Sequence, residues 1–249
     1  MQELAIVLSL LAALLVALEL GYRGGRRAGM ETHAQDGAQI GAIQGALLGL
    51  LGLLLAFSFA AAAARFLERQ DLIVQEANAI GTTYLRTDLL PEPRRTELRN
   101  ALHDYAEHRL GVAHAHGGEW LAQAMLEADA LHARMWSIAI GGVQDRSELA
   151  LSLLPPLNDV IDIHSSRVAA AQKHVPPPVM ILLLTCSLLA IVVIGYGCGR
   201  SGRRMAPLTV PLVLIIGITL WLTIDLDHPR RGLIRLSDAP IESLLSGMK

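Results

Sequence analysis

No Cys-x-x-Cys pair, Gly-rich phosphate loop, Gly-x-Ser-x-Gly elbow or His-Glu-x-x-His run occurs in this sequence. Those absences remove the redox dithiol, the nucleotide-binding loop, the serine hydrolase and the zinc protease. No other constellation of nucleophile, base or metal ligands replaces them, so the expectation is a protein that is not an enzyme and carries no cofactor or metal. Only 2 cysteines are present, Cys186 inside an apolar run and Cys198 at its end. They are too local to build a disulfide framework and read as packing residues. The 21 basic and 23 acidic side chains are dispersed, with a net charge of −2, which leaves no basic stripe for nucleic acid. Charge of either sign is scarce, at 18% of 249 residues against 52% hydrophobic. So much apolar side chain has to lie where water does not.

Four apolar runs supply that place. The first, Leu4 to Leu20, holds one ionisable residue, Glu19, and ends in Gly21-Tyr22-Arg23-Gly24-Gly25-Arg26-Arg27. It just suffices for a hydrocarbon core about 30 Å thick. Its positive charges follow the apolar stretch instead of preceding it, which favours an anchored helix over a cleaved signal peptide. The second, Ile40 to Ala64, has no charged residue, and Gly41, Gly45, Gly49, Gly52 and Ala56 recur on one helical face. Such a stripe suits close packing against the first helix or a neighbouring subunit's helix. The third, Val179 to Gly197, follows Pro176-Pro177-Pro178, and the fourth, Pro207 to Ile224, carries Trp221 near its end at a membrane interface. The expected organisation is residues 1–64 with two spans (4–20 and 40–64), an extramembrane helical domain at 65–175, two more spans within 176–225 (179–197 and 207–224), and a tail at 226–249. The fold class is therefore all-α, an integral membrane protein with four spans framing a helical bundle.

The central block is amphipathic, with no strand-like alternation. A helix without proline continues from the second span through Arg65 to Leu90 and stops at Pro91-Glu92-Pro93. Further helices are expected from Arg94 to Leu110, ended by Gly111, and from Glu119 to Ile140, ended by Gly141-Gly142. A last one starts near Ser147, bends or restarts at Pro155-Pro156, and reaches His174. His114-Ala115-His116 reads as a solvated turn.

At the exit of the second span stands Leu-Ala-Phe-Ser-Phe (residues 55–59), followed by Ala-Arg-Phe-Leu-Glu-Arg (residues 64–69). This segment resembles the bestrophins, pentameric ion channels, in which a Phe-containing pore helix is followed about eight residues later by an Arg-aromatic-x-Glu cluster. Closer still is the resemblance to bacterial and plant bestrophin-like proteins of undetermined activity. It rests on Glu76-Ala77-Asn78-Ala79-Ile80-Gly81-Thr82, Leu89-Leu90-Pro91, Leu157-Asn158-Asp159-Val160-Ile161-Asp162 and Asp225-Leu226-Asp227-x-Pro229-x-x-Gly232-Leu233-Ile234.

The resemblance implies a homo-oligomeric, pentameric channel for inorganic ions in a lipid bilayer, the inner membrane of a bacterial cell. Its pore would be lined by the second span. Gly49, Leu53 and Phe57 follow at i, i+4 and i+8, and the last two would form hydrophobic rings that gate by dewetting. Arg65, Glu68, Arg69, Glu76 and Asn78 would border a vestibule, with helix-end anchoring as the alternative for the arginines. For Glu76 the alternative is a structural lock on an arginine or a helix end. Asn158, Asp159 and Asp162 read as caps and interhelical hydrogen-bond partners. Asp225 and Asp227 are candidate ion-contacting residues, but two carboxylates fall short of the six to eight oxygens calcium takes, so calcium gating is not expected. A membrane scaffold or signalling protein that does not conduct is the competing reading. The two short loops carry Arg23, Arg26, Arg27, Arg200, Arg203 and Arg204, which by the positive-inside rule puts the bundle outside. The resemblance puts it in the cytoplasm.

Overall fold

A computed structural model describes residues 2–29, 34–114, 118–144, 146–229 and 232–248. Helices occupy nearly all of it, and no strand occurs among the described residues: α1 (Gln2–Arg27), α2 (Ala34–Arg86), α3 (Arg94–His114), α4 (Gly118–Val143), α5 (Ser147–Gln172), α6 (Pro177–Arg200), α7 (Ala206–Asp227) and α8 (Ala239–Gly247), with a 3-10 turn at Thr87–Leu89 after α2. Of the His114-Ala115-His116 turn, residues 115 and 116 lie outside the described residues. Four stretches, in α1, α2, α6 and α7, are long and apolar enough to cross a membrane. The chain divides into two units, residues 1–66 with 174–235, and residues 67–173 with 236–249.

The first unit holds the four apolar stretches. Leu14, Leu51, Leu55, Leu183, Ile191, Val213, Ile216 and Leu220 make its core. Helices α1 and α6 approach backbone to backbone. A Cβ added at Gly21 or Gly25 would lie 2.1 Å from the Val192 carbonyl oxygen or 2.2 Å from that of Tyr196. Reciprocally, one at Gly195 or Gly199 would lie 2.2 Å from the carbonyl oxygen of Leu18 or Tyr22. Two Gly-x-x-x-Gly pairs thus face each other, which is how helices gain contact in lipid, where apolar burial drives nothing. The residues that read as the end of the first span are therefore the centre of its packing, and α1 runs on to Arg27. By contrast, a Cβ at Gly41, Gly45, Gly49 or Gly52 would meet nothing within 4 Å. The stripe on α2 is not used against α1.

Several polar groups of this unit are paired within it. Glu19 accepts from Arg23 at 2.8 Å and from Arg204 at 2.9 Å, and the Arg204 guanidinium lies 4.3 Å above the Tyr22 ring. Arg200 donates to the carbonyls of Ala28 and Gly29 at 2.9 and 2.8 Å, closing the end of α1. Gln44 donates to the Val193 carbonyl at 3.0 Å. Ser187, Thr219 and Thr223 return their hydroxyls to carbonyls one turn back, as a medium without water requires.

The second unit is a bundle of the distal part of α2 with α3, α4, α5 and α8 around Ile73, Ile80, Leu98, Leu102, Tyr105, Met135, Leu153, Leu157 and Ile241. Four sequence expectations shift here. Helix α3 runs through Gly111 to His114, and α4 runs through Gly141-Gly142 to Val143. These two glycines make room instead of ending the helix: a Cβ at Gly142 would lie 2.9 Å from a Leu90 methyl, and one at Gly141 would lie 3.3 Å from the Arg94 guanidinium. Pro155-Pro156 sit inside an unbroken α5. A proline at 156 has no N–H for the carbonyl of Ser152, and Arg86 donates to that carbonyl from outside the helix. The segment read as a tail contributes α8, whose Ile241 is fully buried in the bundle.

Candidate functional site

Helix α2 has 53 residues, about 80 Å at 1.5 Å per residue, so less than half of it fits inside a bilayer. In the first unit its outward face carries Gly49, Leu53 and Phe57. Leu53 is 54% exposed and Phe57 67% exposed, so neither belongs to the chain's own core. In the second unit the same helix presents Glu68, Asp71, Gln75 and Asn78 to solvent. Asp71 and Gln75 escaped the sequence reading. Their exposure at helical spacing with Glu68 and Asn78 is the signal that places them on that face.

The other vestibule candidates divide. Arg65 folds back to the Ala61 carbonyl at 3.3 Å, and Glu68 accepts from Lys173 at 3.1 Å. Arg69 is buried and donates to the Ala170 carbonyl at 3.0 Å and to the Lys173 carbonyl. A guanidinium there satisfies the last carbonyls of α5 and faces the negative end of its dipole. Asn158 donates to Asp162 at 2.7 Å, one turn on, at the surface of α5.

Glu76 is fully buried in the bundle. The Tyr105 hydroxyl donates to its Oε1 at 2.6 Å, Arg109 Nε lies 3.1 Å from the same oxygen, and Arg167 Nη1 pairs with Oε2. The imidazoles of His132 and His164 close the cluster. Their centroids are 4.9 Å apart, and His132 lies 4.9 Å from the Tyr105 ring. Helices α3 and α5 therefore meet α2 on one carboxylate, and α4 joins the cluster through the His132 ring. Burial by itself raises the Glu76 pKa, but Arg109, Arg167 and the Tyr105 hydroxyl outweigh it, and the group is held below the ordinary value as a carboxylate. Burial and the Glu76 charge push Tyr105 well up, so it stays a donor. Burial likewise lowers His132, and burial, reinforced by Arg109, lowers His164 to about 4. Both histidines are neutral at pH 7. The sequence announces Glu76 but not its partners, because Tyr105, Arg109, His132, His164 and Arg167 lie on three other helices.

A pH dependence follows from His164. Between its ordinary value of 6.5 and about 4, the unfolded chain takes up a proton that the folded chain refuses, so the bundle loses stability as pH falls across that window. Thermal melts at pH 7, 6, 5 and 4 should show Tm falling by several degrees. His164→Gln, which has no proton to gain, should flatten the fall. An equal slope in the variant would assign the acid sensitivity to other groups.

At the end of α7 both acidic candidates are buried. Asp225 accepts from the backbone N–H of Leu233 at 3.0 Å and of Ile234 at 2.9 Å, and a Cβ at Gly232 would lie 2.1 Å from its Oδ1. The Asp225 carboxylate is thus held by the backbone at Gly232 to Ile234. Asp227 accepts from the Val175 N–H at 3.1 Å through both oxygens and lies 3.3 Å from His174 Nδ1.

The sequence profile of the bestrophin-like domain matches residues 5–241. No curated protein matches the chain in sequence. Among solved structures, a bacterial bestrophin homologue from Klebsiella pneumoniae superimposes with a TM-score of 0.70 at 13% identity, over 100% of this chain and 98% of that one. A second structure of the Klebsiella homologue gives 0.69 at 13% identity over 99% and 95%. A structure described only as that of a membrane protein gives 0.67 at 14% identity over 99% and 97%. Over nearly its whole length, then, with four apolar helices and a helical bundle, the chain belongs to the bestrophin-like family.

Proposed function

We propose that this protein is a subunit of a homo-oligomeric ion channel, a pentamer in the bacterial inner membrane, whose pore is lined by α2. The observation that carries the reading is the bare face of α2. Gly41, Gly45, Gly49 and Gly52 have open space beside them, and Leu53 and Phe57 stand outward beyond the chain's own packing. Small residues on such a face let copies of the helix come close around an axis, and the two bulky residues narrow what remains between them. A ring of Phe57 and a ring of Leu53 bar ions by excluding water, with Gly49 setting the width beyond them. Past the membrane, Arg65, Glu68, Asp71 and Asn78 border the vestibule, while Glu76 and Arg69 act from inside the bundle by fixing the helix that forms its wall. Ion selectivity then rests on the vestibule charges, which include both signs.

The same bare face also suits a scaffold that packs its helices tightly and conducts nothing. A chain with Cys186 and Cys198 replaced by alanine and a single cysteine at position 53 or 57 separates the two. In proteoliposomes, a water-soluble thiol reagent should abolish ion flux through Leu53→Cys and Phe57→Cys. Flux that persists after complete labelling, or cysteines that refuse the reagent, would remove these residues from a water-filled path.

A further inference from the structure

His174, just before the prolines that open α6, and Asp227 with His228, at the end of α7, each bring one ligand atom to within 4.8 Å of the others. The carboxylate is the fixed member. Asp227 is buried and both its oxygens are oriented by the Val175 N–H. The imidazoles flank it from the solvent side, with side chains 43% and 47% exposed. They stack with centroids 4.8 Å apart and planes at 14°.

The distances suit a transition metal. A tetrahedral zinc ion with bonds of about 2.0–2.1 Å keeps its ligand atoms roughly 3.3 Å apart. His174 Nδ1 already lies 3.3 Å from Asp227 Oδ2, and His228 Nδ1 lies 4.0 Å from it. Rotation of a half-exposed imidazole closes that gap. Each Nδ1 also lies near a backbone carbonyl, of Asp227 at 3.1 Å and of Ile224 at 3.2 Å. An ion bound through Nδ1 takes the place of these two contacts, so each Nδ1 must be the unprotonated nitrogen of its ring.

We propose that His174, Asp227 and His228 form a site for a divalent transition-metal ion of the zinc class, with solvent as the fourth ligand. Two nitrogens and one oxygen are the wrong set for calcium or magnesium, which take oxygen shells. The bound ion ties the segment entering α6 to the end of α7. The site is invisible in the sequence because His174 lies 53 residues before Asp227.

The test is titration of the purified full-length protein in detergent with Zn2+, followed by calorimetry and by Tm with and without chelator. Wild type should bind one tight Zn2+ per chain and melt higher with it. The double variant His174→Gln/His228→Gln should keep its metal-free Tm, because both rings are surface groups, and bind at least about tenfold more weakly. His103→Gln, at a half-buried site on α3, should change neither, and Ca2+ or Mg2+ should not substitute. Absence of tight binding by wild type, or equal binding by the double variant, overturns the proposal.

Discussion

Gly195→Leu and Gly199→Leu should each leave little folded protein after extraction into detergent. At both positions a Cβ would lie 2.2 Å from a carbonyl oxygen of α1, where the obstacle is rigid backbone and no side chain can swing aside. The helices would have to part, losing the dispersion contacts of the whole crossing and loosening Gly21 and Gly25 opposite. The expected cost is about 3 kcal/mol for each leucine, at the upper end for an overpacked site. Gly41→Leu and Gly45→Leu are the controls. Their neighbourhood is open, so the chain's own fold should tolerate them, and any effect should appear in the assembly of copies. Circular dichroism melts together with size-exclusion profiles separate the outcomes. A Gly195→Leu protein that melts like wild type would refute the backbone crossing.

Glu76→Gln should be the most damaging isosteric change in the bundle. It removes the one carboxylate that Arg109 and Arg167 share, leaving two guanidinium groups facing each other, both buried. Breaking a buried ion pair from one side costs about 3–5 kcal/mol, because the remaining charge has neither water nor a partner. The damage should be confined to the second unit, with protease cleavage appearing in α3 to α5 while the apolar helices stay protected. Arg109→Met should cost less, since Arg167 and Tyr105 still serve the carboxylate. The order of the two Tm values decides: a milder Glu76→Gln would mean that the arginines are satisfied elsewhere.

Much of this architecture is written in local pattern. The four apolar runs, the prolines at 91 and 93 and the helical periodicity past Arg65 each announce themselves within a window of about twenty residues, and an unbroken α2 is what they predict. Glycine is where local reading fails. Gly141 and Gly142 look like helix ends, and Gly21 and Gly25 look like a loop, because sequence does not say whether a missing Cβ serves a turn or a close approach. The spacing of Gly195 and Gly199, equal to that of Gly21 and Gly25, was the available clue. Pro155-Pro156 misled for a related reason: a helix survives proline when something else takes the freed carbonyl, here Arg86 on another helix. Polar clusters were the least legible. Glu76 and Asp227 stand out as carboxylates in apolar surroundings, but their partners come from distant segments, and only the packed structure joins them.

The proposed pore is lined by α2 and has its narrow point at Phe57. Planar-bilayer recording of the purified protein across a KCl gradient, wild type beside Phe57→Ala, tests it most directly. Discrete currents with a salt-dependent reversal potential are expected, enlarged when the aromatic ring is removed because the constriction then stays wet. Silence from both proteins, with each shown to be folded and inserted, would contradict it and leave the scaffold reading in its place.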